Sequence, residues 1–303
     1  MPLEAGLCHN DDRDNPVNVT KETQAMTPPI LVTGGTGTLG RHVVPRLREA
    51  GYDVRVLSRR GQADEDGIRY LTGDLATGEG IEPAVDGVET IVHLAGTNKG
   101  DEVKTRNLVR AASQAGAQHL VYISVVGADR IPVTSALDRA MFGYFAAKRA
   151  AEQVIADSGL PWTTLRATQF HDLTFLTVRQ LARLPVVPVP AGWRFQPINA
   201  DEVAARLVEL ALGTPAGLVP DLGGPRIYEL AALVRSYLQA SHRRRPILPV
   251  WAPGGAARAV RAGANLAPDR AVGRRTWEEF LAERVSPGTR SSGGHAGQSL
   301  TSP

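Results

Sequence analysis

The sequence predicts an α/β protein, a doubly wound parallel sheet with a smaller, mainly helical C-terminal lobe, and three observations carry that expectation. Apolar runs of strand length alternate with amphipathic stretches of helix length from residue 30 to about residue 175. A glycine-rich turn joins the first run to the first helix. Beyond residue 175 the alternation loosens into helical segments separated by proline-rich turns. Strands are expected over 30–33, 54–57, 70–72, 91–95, 120–124 and 163–165, short and rich in Val, Ile and Leu as strands buried on both faces should be. A helix over 39–50 places Val43, Val44 and Leu47 on one face, and another over 145–157 ends before the Gly159 and Pro161 break. Further helices are expected over 176–184, 201–212, 228–241 and 276–283, with 185–190 as a turn.

The resulting plan is a polar, disordered leader (1–28), a dinucleotide-binding domain (29–175), a substrate lobe completing the same fold (176–285) and a Gly/Ser-rich tail (286–303). Met26, just before the first strand, is the expected native start. A chain of 303 residues, 43% hydrophobic, can bury a sizeable core, while 34 basic against 31 acidic residues is too slight an excess to imply nucleic acid. The single cysteine, Cys8, excludes a disulfide framework or a cysteine metal site within one chain. The histidines form no metal-type cluster with spaced carboxylates, so no metal is expected. Neither a long apolar run nor a signal-like start is present, so the expectation is a cytoplasmic protein without a membrane partner.

The segment Ile30-Leu-Val-Thr-Gly34-Gly35-Thr36-Gly37-Thr38-Leu39-Gly40 reads as strand, glycine turn and helix start. Glycines let the backbone turn tightly and approach a pyrophosphate, which then sits on the free amides and positive end of the helix, as in a Rossmann-type fold. The spacing fits Gly34-x-x-Gly37-x-x-Gly40 or Gly35-x-Gly37-x-x-Gly40, and the sequence does not choose. The second strand ends in Ser58-Arg59-Arg60, where an NAD binder would offer a carboxylate to the ribose hydroxyls. Arginines there favour the 2′-phosphate of NADP(H), with NAD(H) as runner-up.

The glycine turn, Gly73-Asp74-Leu75, His93-Leu-Ala95-Gly96 and Tyr144-x-x-x-Lys148 together resemble the short-chain dehydrogenase/reductase superfamily, and more closely its extended and atypical, NmrA-like branch. Three segments carry the closer match: Val121-Tyr-Ile-Ser124-Val-Val-Gly127, Lys148-Arg-Ala-Ala-Glu152, and the stretch from Ser158 through Arg166 to Phe170. The resemblance runs from residue 30 to 285, strongly to Phe170 and loosely beyond. It implies that Asp74 and Leu75 lie beside the adenine and that Ala95 and Gly96 pass under the adenosine ribose and the nicotinamide side.

Tyr144 and Lys148 share a helix face, and Ser124 ends the preceding strand, so the three can build one site. The resemblance implies tyrosine as general acid/base, lysine lowering its pKa and holding the nicotinamide ribose, and serine bonding the substrate oxygen. The loop over 127–143 departs from the pattern and is able to shift the tyrosine. Thr168, Gln169, Phe170 and His171, beyond the sixth strand, are the candidate substrate pocket, with Trp193 and Phe195 as an apolar wall. His93 is expected to pack at the end of the fourth strand, and His242-Arg-Arg-Arg245 to be a solvated basic loop. The leading expectation is an NADP(H)-dependent oxidoreductase of a small carbonyl or conjugated substrate, with a homodimer as an option. The alternatives are a non-catalytic NADP(H)-binding redox sensor and a nucleotide-sugar epimerase or dehydratase.

Overall fold

The computed structural model describes residues 27–65, 67–96 and 100–285. Cys8, Met26, most of the expected leader and the whole of the expected tail lie outside them. The first half of the chain runs β1 (Ile30–Thr33), α1 (Gly40–Glu49), β2 (Val54–Ser58), β3 (Ile68–Thr72), α2 (Glu82–Val85), β4 (Thr90–His93), α3 (Asp101–Gln114), β5 (His119–Val125), α4 (Ala136–Ala156) and β6 (Trp162–Ala167). The second half runs α5 (His171–Leu181), β7 (Val187–Pro190), β8 (Arg194–Phe195), α6 (Ala200–Leu212), β9 (Gly217–Leu218), β10 (Tyr228–Glu229), α7 (Leu230–Ala240), β11 (Ile247–Val250), α8 (Gly255–Arg261) and α9 (Trp277–Val285).

The central sheet has seven strands in the order β3-β2-β1-β4-β5-β6-β9, and all of its pairings are parallel. Parallel strands joined by crossover helices are covered on both faces, which is why every residue of β1 and β5 is buried. On one face α1 and α6 close a core in which Val43, Val44 and Leu47 meet Val203, Ala204 and Leu207. On the other face α2 and α3 pack Val85, Leu108 and Ala112 against Leu31 and Ile91, with α4 beside α3. The strand order reverses between β1 and β4, which opens a crevice beyond their carboxyl ends. Gly34, Leu94 and Gly96 stand there.

Two expectations need correction. The segment 127–143 is only partly a loop, because α4 begins at Ala136, and Tyr144 therefore lies well inside a helix. A capping box fixes that start: the Asp138 amide donates to Ser135 Oγ at 3.0 Å and the Ser135 amide to Asp138 Oδ2 at 3.2 Å. Gly143 lies inside the helix, and an interior glycine costs a helix only about 1 kcal/mol, which the cap and the packing of Phe142 offset. The second correction falls within 185–190, where Val187–Pro190 form a strand rather than a turn: β7 pairs in parallel with β11. Each strand of this two-stranded sheet pairs on one side only, so its prolines interrupt no second ladder.

Residues beyond 175 do more than form a lobe. Residues 198–219 bring Ile198, α6 and β9 onto the main sheet and its core. The remainder gathers around Leu233, Val234, Tyr237, Trp277 and Phe280. Among the described residues no helix is long and apolar enough to cross a membrane. Since α6 covers the apolar stripe of α1, a fragment ending at residue 175 is expected to lose cooperative unfolding in urea, whereas the full chain keeps it; circular dichroism during denaturation checks this.

Candidate functional site

The glycine turn is shaped by contacts that leave no room for side chains. Gly34 follows β1 with a φ of +72°, and a Cβ there would stand 2.7 Å from the Ala95 amide nitrogen. The Gly37 amide donates to Gly34 O at 3.0 Å, and a Cβ on Gly40 would fall 2.4 Å from the same oxygen. Gly34, Gly37 and Gly40 thus close the turn. Gly35 serves a different contact, since its Cβ would press on Val56 Cγ1 at 2.8 Å; both spacings read from the sequence answer a steric demand. No side chain caps α1 and no acidic residue stands in its first turn. Its positive end suits an anion.

A groove of 770 Å³ runs from this turn past residues 57–60, 73–76 and 94–96 to Lys104. Ser58, Arg59 and Arg60 wall its far part; both arginines are exposed, and the Arg60 amide donates to Ser58 Oγ at 3.3 Å. Asp74 is the one carboxylate that the described residues place on the wall, and its Oδ1 accepts the Ala76 amide at 2.8 Å. Leu75 is buried beside it, its carbonyl accepting from Asn107 Nδ2 at 2.9 Å. Of the expected cofactor residues, Gly34, Thr36, Gly37, Ser58, Arg59, Arg60, Asp74, Leu75, Ala95 and Gly96 line this groove. Thr38, Leu39 and Lys148 line the adjoining cavity, and Gly35 and Gly40 shape the turn behind.

That cavity, of 480 Å³, shares Gly34, Gly37, Leu94 and Gly96 with the groove. Ser124, Tyr144 and Lys148 all stand on its wall, and among the described residues Lys148 is the sole charged one there. The structure therefore brings the expected trio together. Ser124 is buried, and its Oγ has no hydrogen-bond partner among the described residues. Burial pushes the Tyr144 phenol up to about 12, with the Asp101 carboxylate adding to the effect. Here the lysine does not bring the phenol below its ordinary value, because desolvation of the phenolate dominates; Tyr144 is a protonated donor at neutral pH.

Lys148 is buried as well. Its Nζ donates to the Ile123 carbonyl at 3.2 Å, stands 3.6 Å from Asp101 Oδ2, and lies 4.9 Å and 5.7 Å from the ring centres of Tyr122 and Tyr144. Burial lowers its pKa and Asp101 opposes that shift. Gly96 permits the arrangement, for a Cβ there would meet Nζ at 2.6 Å. One turn along α4, Glu152 takes Arg166 of β6 in a bidentate pair at 2.8 and 2.7 Å, and Asp129 holds the same guanidinium at 2.8 Å. This buried fork fixes the rotation of α4, and hence the direction in which Tyr144 and Lys148 face.

His93 is packed as expected: Nδ1 lies 2.6 Å from Thr33 Oγ1, Nε2 lies 3.2 Å from Thr105 Oγ1, and the ring stacks on Tyr122. Thr168, Gln169, Phe170, Trp193 and Phe195 line the cavity. His171 does not; it is fully buried and stacked on Phe280 with ring centres 5.0 Å apart. The run 242–245 follows the C-terminus of α7, where the Arg243 amide closes onto Leu238 O at 2.8 Å, and its side chains are exposed. Among the described residues no group of His, Cys, Asp and Glu has the arrangement of a metal site.

Sequence reasoning missed Asp101 as the partner of Lys148, and Met141, Phe142, Phe145, Leu173, Val260 and Asn265 as cavity wall. The three α4 residues surround Tyr144 in sequence and could have been found from that. Asp101, Val260 and Asn265 come from distant segments whose approach only the fold reveals. Asn265 is buried, its Nδ2 donating to Arg194 O at 2.8 Å and its Oδ1 without a partner among the described residues.

Sheet order and the glycine turn ahead of α1 define a dinucleotide-binding fold. The profile of a family described as NAD(P)H-binding matches residues 34–211, more than half of the chain, and the chain belongs to that family. It is 33% identical over 148 residues to a (4-alkanoyl-5-oxo-2,5-dihydrofuran-3-yl)methyl phosphate reductase of Streptomyces griseus, covering 48% of this chain and 49% of that protein. It is 30% identical over 208 residues to a ceramide reductase of Caulobacter vibrioides, covering 63% of each. The matched regions thus span about half to two thirds of these relatives. Among solved structures, an NADPH-dependent quinone oxidoreductase from Escherichia coli complexed with NADPH superposes with a TM-score of 0.69 at 19% identity, covering 84% of this chain and 99% of that one.

The buried histidine outside the cavity has a measurable consequence. Burial holds His171 down to about 4, so between its unfolded value near 6.5 and that figure the unfolded chain binds the extra proton. Stability is present above the upper value and is lost as pH falls toward the lower one. His171→Phe, which keeps the ring stack, is expected to remove about 2–3 kcal/mol of the acid-induced loss between pH 7 and 4, measured from urea midpoints across that range.

Proposed function

We propose that the protein is an NADPH-dependent reductase of a small, uncharged carbonyl or conjugated compound, with Tyr144 as proton donor. The observation that carries this reading is the juxtaposition of a protonated phenol, a buried serine hydroxyl without a partner and a buried lysine on an apolar cavity that opens from the glycine turn. The residues fit the cofactor. The turn is a cradle that side chains would fill, the start of α1 is uncapped, and a groove of 770 Å³ leads from it to two exposed arginines. Those arginines support NADP(H) over NAD(H), since a 2′-phosphate gives them charge-assisted partners that a hydroxyl does not. Two of the similar proteins carry reductase names.

NADPH, when bound, supplies a hydride to the electrophilic carbon of the substrate. The chain's own residues do the rest. Ser124 Oγ donates to the substrate oxygen, which satisfies a hydroxyl that is otherwise buried at a cost of about 1–3 kcal/mol. Tyr144 gives its proton to that oxygen as negative charge grows on it; for a conjugated substrate, the proton passes to the enolate. Lys148 stabilises the phenolate left behind, an interaction strengthened by low local polarity. The apolar wall excludes water from the reacting carbon. With Lys148 as the only charged group that the described residues place on that wall, an uncharged substrate fits better than a sugar nucleotide.

Calorimetric titration with NADPH, NADP+, NADH and NAD+ tests the cofactor half. Wild type is expected to prefer NADPH, and Arg59→Ala with Arg60→Ala is expected to weaken NADPH by about 10-fold or more while leaving NADH nearly unchanged; equal affinities in the wild type would remove the NADP assignment. Stopped-flow oxidation of NADPH with a reducible ketone or quinone tests the chemistry. Tyr144→Phe is expected to slow turnover by about 10²–10⁴-fold with little change in NADPH affinity.

A further inference from the structure

We infer that the substrate is an amphiphile, its carbonyl held at the buried end of the cavity and an alkyl tail running out across an apolar collar at the mouth. This rests on the cavity being the carbonyl site, and it adds the class of compound that the site takes.

The cavity is graded from end to end. Ser124 and Lys148, at 4% and 3% exposure, mark its buried end. Met141 and Leu173 belong to the same wall yet are 46% and 53% exposed, so they mark its mouth. The apolar surface continues outward from both. Leu137, one turn before Met141 on α4, is 45% exposed, and Leu176, three residues past Leu173 on α5, is 52% exposed. Single exposed leucines need no explanation, but exposed leucines one turn along from wall residues of an apolar cavity, on both helices that line it, do. A tail that continues from the cavity contacts the collar without a break, and its burial supplies affinity in proportion to its length.

The test is a series of straight-chain methyl ketones, from pentan-2-one to undecan-2-one, titrated calorimetrically into the full chain saturated with NADP+, in which no turnover occurs. Leu137→Gln/Leu176→Gln, which alters the collar but no residue of the cavity wall, is titrated in parallel. Wild-type affinity is expected to rise about two- to fourfold per added methylene across the series, the range from half to full burial of each group. The double variant is expected to bind pentan-2-one within twofold of wild type and to gain little beyond eight carbons. Equal length dependence in the two proteins would overturn the collar while leaving the carbonyl site standing. Failure of every ketone to bind would overturn the carbonyl site and the collar with it. Sedimentation of both proteins supplies the remaining outcome: a wild-type dimer that the substitutions dissociate, with length dependence unchanged, makes the collar a contact between copies and sinks the inference.

Discussion

An ammonium group taken out of water is the constraint around which the site is assembled. Lys148 is buried, and an isolated charge in that position would be prohibitively costly. Its partners come from separate elements, the Asp101 carboxylate from the start of α3 and the Ile123 carbonyl from β5. The approach of Nζ to the end of β4 requires glycine at 96. Because the lysine is held in this way, Tyr144 one turn earlier on α4 faces the same cavity. The Arg166 fork on Glu152 then fixes the helix from the far side, through a second buried ionic contact.

The two halves of the crevice are made for different chemistry. The groove is polar, with Arg59, Arg60 and Lys104 set against the Asp74 carboxylate on its wall. The cavity is walled by Phe142, Phe145, Phe170 and Phe195 and, among the described residues, carries charge only at Lys148. Charged groups at the exposed end of a groove steer and select an anion, while a dry wall at the reacting end strengthens the few polar interactions that remain. The glycine turn separates the two because its lack of side chains lets both reach the same stretch of backbone.

Much of this was legible in the sequence where the signal is local. The glycine turn, the pairing of Tyr144 with Lys148 on one helix face and the arginines after β2 each depend on a spacing of a few residues, and each appears at the expected place in the fold. The segment 127–143 was read as loop throughout, while the Ser135–Asp138 box that starts α4 at Ala136 carries no weight until the helix is known to continue through Gly143. The strand at 187–190 was hidden by its prolines, which argue against a strand in general but not in a two-stranded sheet. Asp101, Val260 and Asn265 had no local signal at all. His171 was misplaced by sequence adjacency: it follows three residues that do line the cavity, but as the first residue of α5 it turns toward Trp277 and Phe280.

The interleaving of α6 and β9 with the first strands bears on how the chain acquires its structure during synthesis. The nascent polypeptide presents Val43, Val44 and Leu47 early, but the residues that cover them, Val203 and Leu207, leave the ribosome much later. Until residue 219 has emerged, the outermost strand of the sheet is missing and one of its faces lacks a helix. Such long-range closure slows folding and leaves an apolar surface open to chaperones or to misassembly. The arrangement that places the groove and the cavity side by side therefore makes the whole protein dependent on completing nearly all of its translation before either is secure.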